Sequence, residues 1–171
     1  MPDGIFAILT YAFLLWEMQA VHCDTGCLAR SEVTPRTAVS AGRVIFNGED
    51  LGSEIFLRRD TGTRFGPFRL SYGLSATSEG SLWAGAGQTY TIPFAEGDGF
   101  IQLHAMTGLY EPGNGADLGG PIEFRSGIEI GYEADNGWRY GLSFDHRSNA
   151  DIWTDNPGLE TIQFRVSIPT R

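Results

Sequence analysis

Between Trp138 and Asn149 the chain alternates: Trp138, Tyr140, Leu142 and Phe144 share one parity, and Arg139, Ser143, Asp145 and Arg147 share the other. A two-residue period is that of a strand, whose side chains leave opposite faces in turn. The pattern recurs in Ile122–Glu133, where Ile122, Phe124, Ile128, Ile130 and Tyr132 oppose Glu123, Arg125, Glu129 and Glu133, and again where Phe68, Leu70, Tyr72 and Leu74 oppose Arg69, Ser71 and Gly73. It returns after Gly158, with Glu160, Ile162, Phe164, Val166 and Ile168 against Thr161, Gln163, Arg165 and Ser167. Eight strands are predicted: 40–47, 53–59, 66–76, 81–94, 99–110, 122–133, 138–149 and 159–168. Turn-forming pairs punctuate them, among them Asn47-Gly48, Thr61-Gly62, Glu79-Gly80, Asn136-Gly137 and Asn156-Pro157-Gly158. Past residue 37 no segment carries a helical period, so the prediction is all-β, an antiparallel meander.

The identity of the wet face decides the architecture. A soluble sandwich buries its apolar faces against each other. A small membrane barrel turns them outward and fills a narrow lumen with paired charges, glycines and small polar groups. The charged faces here are thinned by glycines such as Gly127 and Gly131. Trp83, Tyr90, Tyr110, Tyr132, Trp138, Tyr140 and Trp153 fall mostly near strand ends, where an interfacial girdle belongs. These features favour an eight-stranded antiparallel up-and-down outer-membrane β-barrel.

The apolar run from Ile5 to Trp16 has the length of a signal-peptide core and is too short to cross a bilayer as a helix. Residues 1–22 therefore read as an export signal, 23–37 as a linker, and 38–171 as the barrel domain. Cys23 and Cys27 are the only cysteines, a spacing suited to one local disulfide in an oxidising compartment. His22 beside Cys23 lacks a second ligand pair, so no metal is expected, and no cofactor either. The net charge of −9 leaves no basic stripe to displace phosphate counterions, which excludes nucleic acid as a partner. Lysine is absent, and every base is Arg, whose permanently charged fork suits fixed ion pairs.

The same alternation carries candidate chemistry. His146 and Ser148 continue the parity of Trp138–Phe144, and Glu160 shares that of Ile162 and Phe164. If the two strands pair as a hairpin, a hydroxyl, an imidazole and a carboxylate meet on one apolar face near its end. The imidazole could then take the Ser148 proton and the carboxylate orient the imidazole. A hydrogen-bonded polar cluster at a strand end is the plainer reading of the same residues.

The run His146-x-Ser148-Asn149-Ala150 followed by Asn156-Pro157-Gly158-x-Glu160 resembles the C-terminal signature of PagL-type lipid A 3-O-deacylases, also called acyloxyacyl hydrolase family proteins. The resemblance implies an enzyme of the bacterial outer membrane that hydrolyses the ester-linked acyl chain at the 3-position of lipid A, the anchor of lipopolysaccharide. Carried over by position, Ser148 is the nucleophile, His146 the general base and then acid, and Glu160 the orienting carboxylate. Asn149, Asn156 and Gly158 fall where the family places oxyanion and substrate-binding residues. Parity points the Asn149 side chain inward, leaving its backbone N–H as the usable donor. Leu142, Phe144, Ile162 and Phe164 could border an acyl groove on the wall. Arg147 points inward, as a lumen ion-pair member. Two other functions stay open: a catalytically silent structural barrel of the outer membrane, and a soluble periplasmic lipid-binding β protein. A homodimer is also left open.

Overall fold

The computed structural model describes residues 29–170, together with Ala12. The segment expected to be an export signal, apart from Ala12, and His22, Cys23 and Cys27 lie outside the described residues. Nine strands follow one another: β1 (Arg30–Glu32), β2 (Arg36–Phe46), β3 (Glu49–Phe65), β4 (Phe68–Thr77), β5 (Leu82–Phe94), β6 (Gly99–Glu111), β7 (Ile122–Glu133), β8 (Arg139–Ser148) and β9 (Leu159–Pro169). From β2 onward each strand pairs antiparallel with the next in the chain, and β9 returns to pair with β2 along its whole length. The result is a closed eight-stranded barrel with no free edge. Short β1 pairs only with Thr63–Phe65 of β3, extending the line of β2 beyond the interruption at Pro35.

The first two barrel strands are longer than the sequence pattern predicts. Strand β2 begins at Arg36 rather than beyond Ala38, so the expected linker contributes β1 and the first two residues of β2. Strand β3 runs through Thr61-Gly62, which reads as a turn in isolation, and the reversal falls at Gly66, whose φ of 56° suits glycine. Register shifts flank the legible centre of β3: one lies between Val44 and Ile45 of its partner β2, the other between Asp60 and Arg64. The first adds one residue, Leu51, and breaks the two-residue alternation; the second sets Thr61, Gly62 and Thr63 against Leu70 alone, two extra residues that interrupt the pairing.

The barrel is inverted relative to a soluble protein. Its outer wall presents Val39, Ile55, Leu57, Tyr72, Leu74, Ile130, Leu142, Ile162 and Phe164, all exposed. Its interior holds Glu54, Arg58, Asp60, Arg125, Glu129, Asp145, Arg147 and Arg165, each at most 2% exposed. Such a wall suits hydrocarbon and not water, which removes the soluble periplasmic reading. The interior charges form a lattice. Glu54 takes Arg125 at 2.7 Å, Arg147 at 2.5 Å and the Gln163 amide at 2.7 Å. Arg125 also donates through Nε and Nη2 to Asp145, Arg165 pairs with Glu129 at 2.7 Å, and Arg58 pairs with Asp60 at 2.9 Å. His104 is fully buried within the lattice, 3.6 Å from Asp145.

Two of the expected girdle aromatics are lumen residues. Trp83 is 1% exposed and Tyr110 4%, both on the inward parity, where Trp83 meets Phe56 edge-on. Glycines make the space: a methyl group at Gly85 or Gly108 would come within 2.6 Å of the Trp83 ring. Tyr90 instead packs with Phe68 in a small cluster of its own. Tyr132, Trp138, Tyr140 and Trp153 do stand exposed.

The two long connections, 112–121 and 149–158, leave the same end of the barrel, and the chain enters and leaves at the other, where the turns are short. In outer-membrane barrels the long loops are extracellular. Glu54→Leu leaves Arg125 and Arg147 buried without their shared carboxylate, and removing one partner of a buried pair costs about 3–5 kcal/mol. The expected outcome is a lower midpoint for the variant in urea titrations of the folded barrel in lipid vesicles, read by tryptophan fluorescence.

Candidate active site

The strand pairing of β8 with β9 sets His146 directly opposite Glu160. Directly opposed residues share a face of the sheet, and here it is the outward one, continuing Leu142 and Phe144 on β8 and Ile162 and Phe164 on β9. Imidazole Nδ1 lies 3.3 Å from Glu160 Oε1. In the neutral tautomer that donates Nδ1–H to this carboxylate, Nε2 presents a lone pair. Among the described residues, His146 Nε2 is buried and has no hydrogen-bonding partner, the Ser148 hydroxyl included. Ser148 stands one pleat further along β8 on the same face. The structure thus joins His146 to Glu160 and sets Ser148 beside them without closing the third contact.

His146 and Ser148 are only 8% and 5% exposed, although the neighbouring outward residues Leu142 and Phe144 are 60% and 39% exposed. The 149–158 loop accounts for part of the cover. A methyl group at Gly158 would fall 2.6 Å from His146 Cε1, so the glycine lets the backbone lie directly on the ring.

That loop is held by Asn149, which is completely buried and points inward, as parity requires. Its amide donates to the carbonyls of Leu118 and Asp155, each at 2.7 Å, tying the two long loops together. Its backbone N–H donates to Asn156 Oδ1 at 2.9 Å, and Asn156 Nδ2 donates in turn to Asp151. Between them Ala150 and Asp151 both adopt left-handed backbone angles, with φ of 54° and 61°, in a tight reversal closed by the Ile152 N–H on the Asn149 carbonyl. Two consecutive left-handed residues without glycine hold a conformation that local sequence disfavours, so the Asn149 and Asn156 bonds must fix it. Asn149 and Asn156 are therefore loop clamps in this arrangement, with the Asn149 N–H already engaged.

Sequence reasoning missed the other half of the clamp. Any side chain at Gly120 would occupy the place of the Trp153 indole, and one at Gly119 would strike the Asp155 carbonyl. The Gly119-Gly120-Pro121 run was the available signal, since paired glycines in a long loop mark close backbone approach. The loops leave a polar, open depression of about 580 Å³ lined by Asp117, Gly119, Thr154, Asp155, Asn156 and Pro157. Arg147, next to the site in sequence, turns inward to Glu54. His104, which the sequence leaves without a role, is enclosed in the lumen and not on the surface.

An all-β barrel with an apolar exterior, a charged interior and long loops at one end belongs to the class of small outer-membrane barrels. Comparison with solved structures agrees. The crystal structure of the outer membrane enzyme PagL superposes with a TM-score of 0.65 at 20% identity, covering 79% of this chain and 99% of that one. Neisserial surface protein A (NspA) gives a TM-score of 0.58 at 11% identity, covering 83% and 99%, and a de novo designed transmembrane β-barrel gives 0.58 at 10%, covering 82% and 98%. No curated protein sequence matches the chain significantly. A sequence model described as Lipid A 3-O-deacylase (PagL) matches residues 66–169, and the chain belongs to that family. Its place is the bacterial outer membrane.

Gly158→Ala should displace the imidazole, because the added methyl and Cε1 cannot coexist at the present separation. In ¹⁵N-labelled protein in micelles, the His146 ring resonances are expected to shift while the amide spectrum of β2 to β7 is preserved.

Proposed function

We propose that this chain removes the ester-linked acyl chain from the 3-position of lipid A, with Ser148 as nucleophile, His146 as base and acid, and Glu160 as orienting carboxylate. One observation carries the reading: a histidine facing the membrane is paired through Nδ1 with Glu160, while its Nε2 is left unpartnered beside a serine on the same strand. A charge-capable pair set among the apolar wall residues Leu142, Phe144, Ile162 and Phe164 is costly, and such residues mark functional sites.

The chemistry follows from the positions. As the ester carbonyl approaches Ser148, Nε2 accepts the hydroxyl proton and Oγ attacks the carbonyl carbon. Glu160 stabilises the imidazolium that forms, and the imidazolium then protonates the departing sugar 3-oxygen. A water molecule, deprotonated by the same nitrogen, releases the fatty acid from the acyl-serine. The Asn149 N–H becomes an oxyanion donor when Asn156 Oδ1 gives it up, so substrate entry and loop adjustment are coupled in this reading. Leu142, Phe144, Ile162 and Phe164 supply the apolar wall along which the acyl chain lies.

The catalytically silent barrel draws on the missing His146–Ser148 hydrogen bond. Catalytic contacts commonly tighten only once substrate is bound, which favours the enzyme. The two are separated by mass spectrometry of lipid A from cells producing the protein. The parent protein should yield lipid A lighter by one 3-linked acyl chain, and Ser148→Ala and His146→Ala should leave lipid A intact while still migrating as folded, heat-modifiable barrels. Glu160→Gln, which keeps the shape but loses the charge, is expected to lower kcat by about 10²–10⁴. Normal deacylation by the Ser148→Ala protein refutes the assignment.

A further inference from the structure

The hydrolytic reading leaves one charged feature of the outer wall unused. Arg43 faces outward on β2, opposite Ile162 of β9, and the next outward residue, Ile45, is opposite Glu160. Its guanidinium donates through Nε at 2.8 Å and Nη2 at 2.5 Å to a single oxygen, Asp50 Oδ2, while Asp50 Oδ1 accepts the Gly52 N–H at 2.9 Å. The register shift of β3 lies at this point: Val44 is opposite Gly52 and Ile45 opposite Asp50, so Leu51 is the extra residue. Bulges of this kind re-aim side chains and gather near functional sites. The Arg43 and Asp50 side chains are 60% and 50% exposed on a wall that otherwise presents Val39, Ile55, Ile162 and Phe164. An exposed ion pair is out of place in hydrocarbon but suits the level of lipid headgroups.

The distribution of the other bases sets Arg43 apart. Arg58, Arg125, Arg147 and Arg165 are enclosed in the lumen, and the remaining described arginines lie toward the end where the chain enters and leaves. Among the described residues Arg43 is therefore the sole arginine on the outer wall at the long-loop end. Two strand spacings, about 10 Å, separate β2 from β8, a span that an arginine side chain and a sugar ring can bridge.

We propose that Arg43 receives a phosphate on the sugar headgroup of the glycolipid substrate, and that Asp50 holds the guanidinium in position and yields to that phosphate. The proposal rests on the deacylase reading for the choice of lipid. Its chemistry is that of Arg and phosphate: a planar fork matches two phosphate oxygens, and the dianion is a stronger acceptor than the single carboxylate oxygen it displaces. Phosphate capture at this distance fixes which sugar ester lies over Ser148, making Arg43 a specificity determinant and not a member of the reacting set.

The test is binding of a synthetic acylated glucosamine disaccharide, with and without its phosphates, to the Ser148→Ala protein in zwitterionic micelles, read by tryptophan fluorescence. The phosphorylated lipid is expected to bind about tenfold or more tightly, with a preference that weakens as salt is raised. Adding Arg43→Gln should collapse that preference toward unity, and Arg43→Lys should restore part of it. Asp50→Asn should instead tighten binding of the phosphorylated lipid, an increase that a merely structural brace would not give. A preference that survives Arg43→Gln, no preference in the starting protein, or equal weakening by Asp50→Asn and Arg43→Gln overturns the proposal. Hydrolysis by the protein with Ser148 intact is measured alongside. Because binding is read without the Ser148 hydroxyl, a lack of hydrolysis there counts against the deacylase reading and not against the phosphate site.

Discussion

The pairing of charges inside a narrow lumen is the constraint on which the rest of the molecule depends. Four arginines and their carboxylates are enclosed where water cannot solvate them, so each must find its partner or the barrel does not close. Glu54 on β3 answers Arg125 on β7 and Arg147 on β8, and Asp145 on β8 answers Arg125 across the neighbouring ladder. A one-residue slip in any of these strands would drive guanidinium groups into lipid and leucines into the lattice. The outward register, which sets His146 opposite Glu160, is thus enforced from within.

Most of this was legible in the chain because the lumen and the wall impose opposite chemistry on alternate residues. Strands β4 to β9 were located within about two residues: alternation marks β4, β7, β8 and β9, while β5 and β6 alternate poorly and are bounded by turns that carry Asn, Asp and Gly. The ends of β3 were not, because its one-residue bulge at Leu51 breaks the period, and Thr61-Gly62, inside the second register shift, imitates a turn. The placement of Trp83 and Tyr110 also escaped. A strand-end position suggested the interface, but parity alone decided for the lumen, and the glycines that admit Trp83 come from β4, β5 and β6. Contacts between distant strands leave no trace in local composition.

The candidate site divides in the same way. Pairing of His146 with Glu160 could be counted from the sequence because only a hairpin and a parity are involved. The clamp around Asn149 could not, since it depends on Leu118, Gly119 and Gly120 from a loop some thirty residues earlier. That clamp fixes two left-handed residues immediately after Asn149 and occupies the backbone N–H that parity leaves for the oxyanion role the resemblance implies for Asn149. Order at the loops and readiness at the wall are therefore linked through one asparagine.

The packed interior has one more consequence. Among the described residues, Trp83, Phe56 and the arginine lattice pack together inside an eight-stranded bore, a width that side chains alone can fill. A barrel plugged in this way adds wall to the membrane without adding a pore.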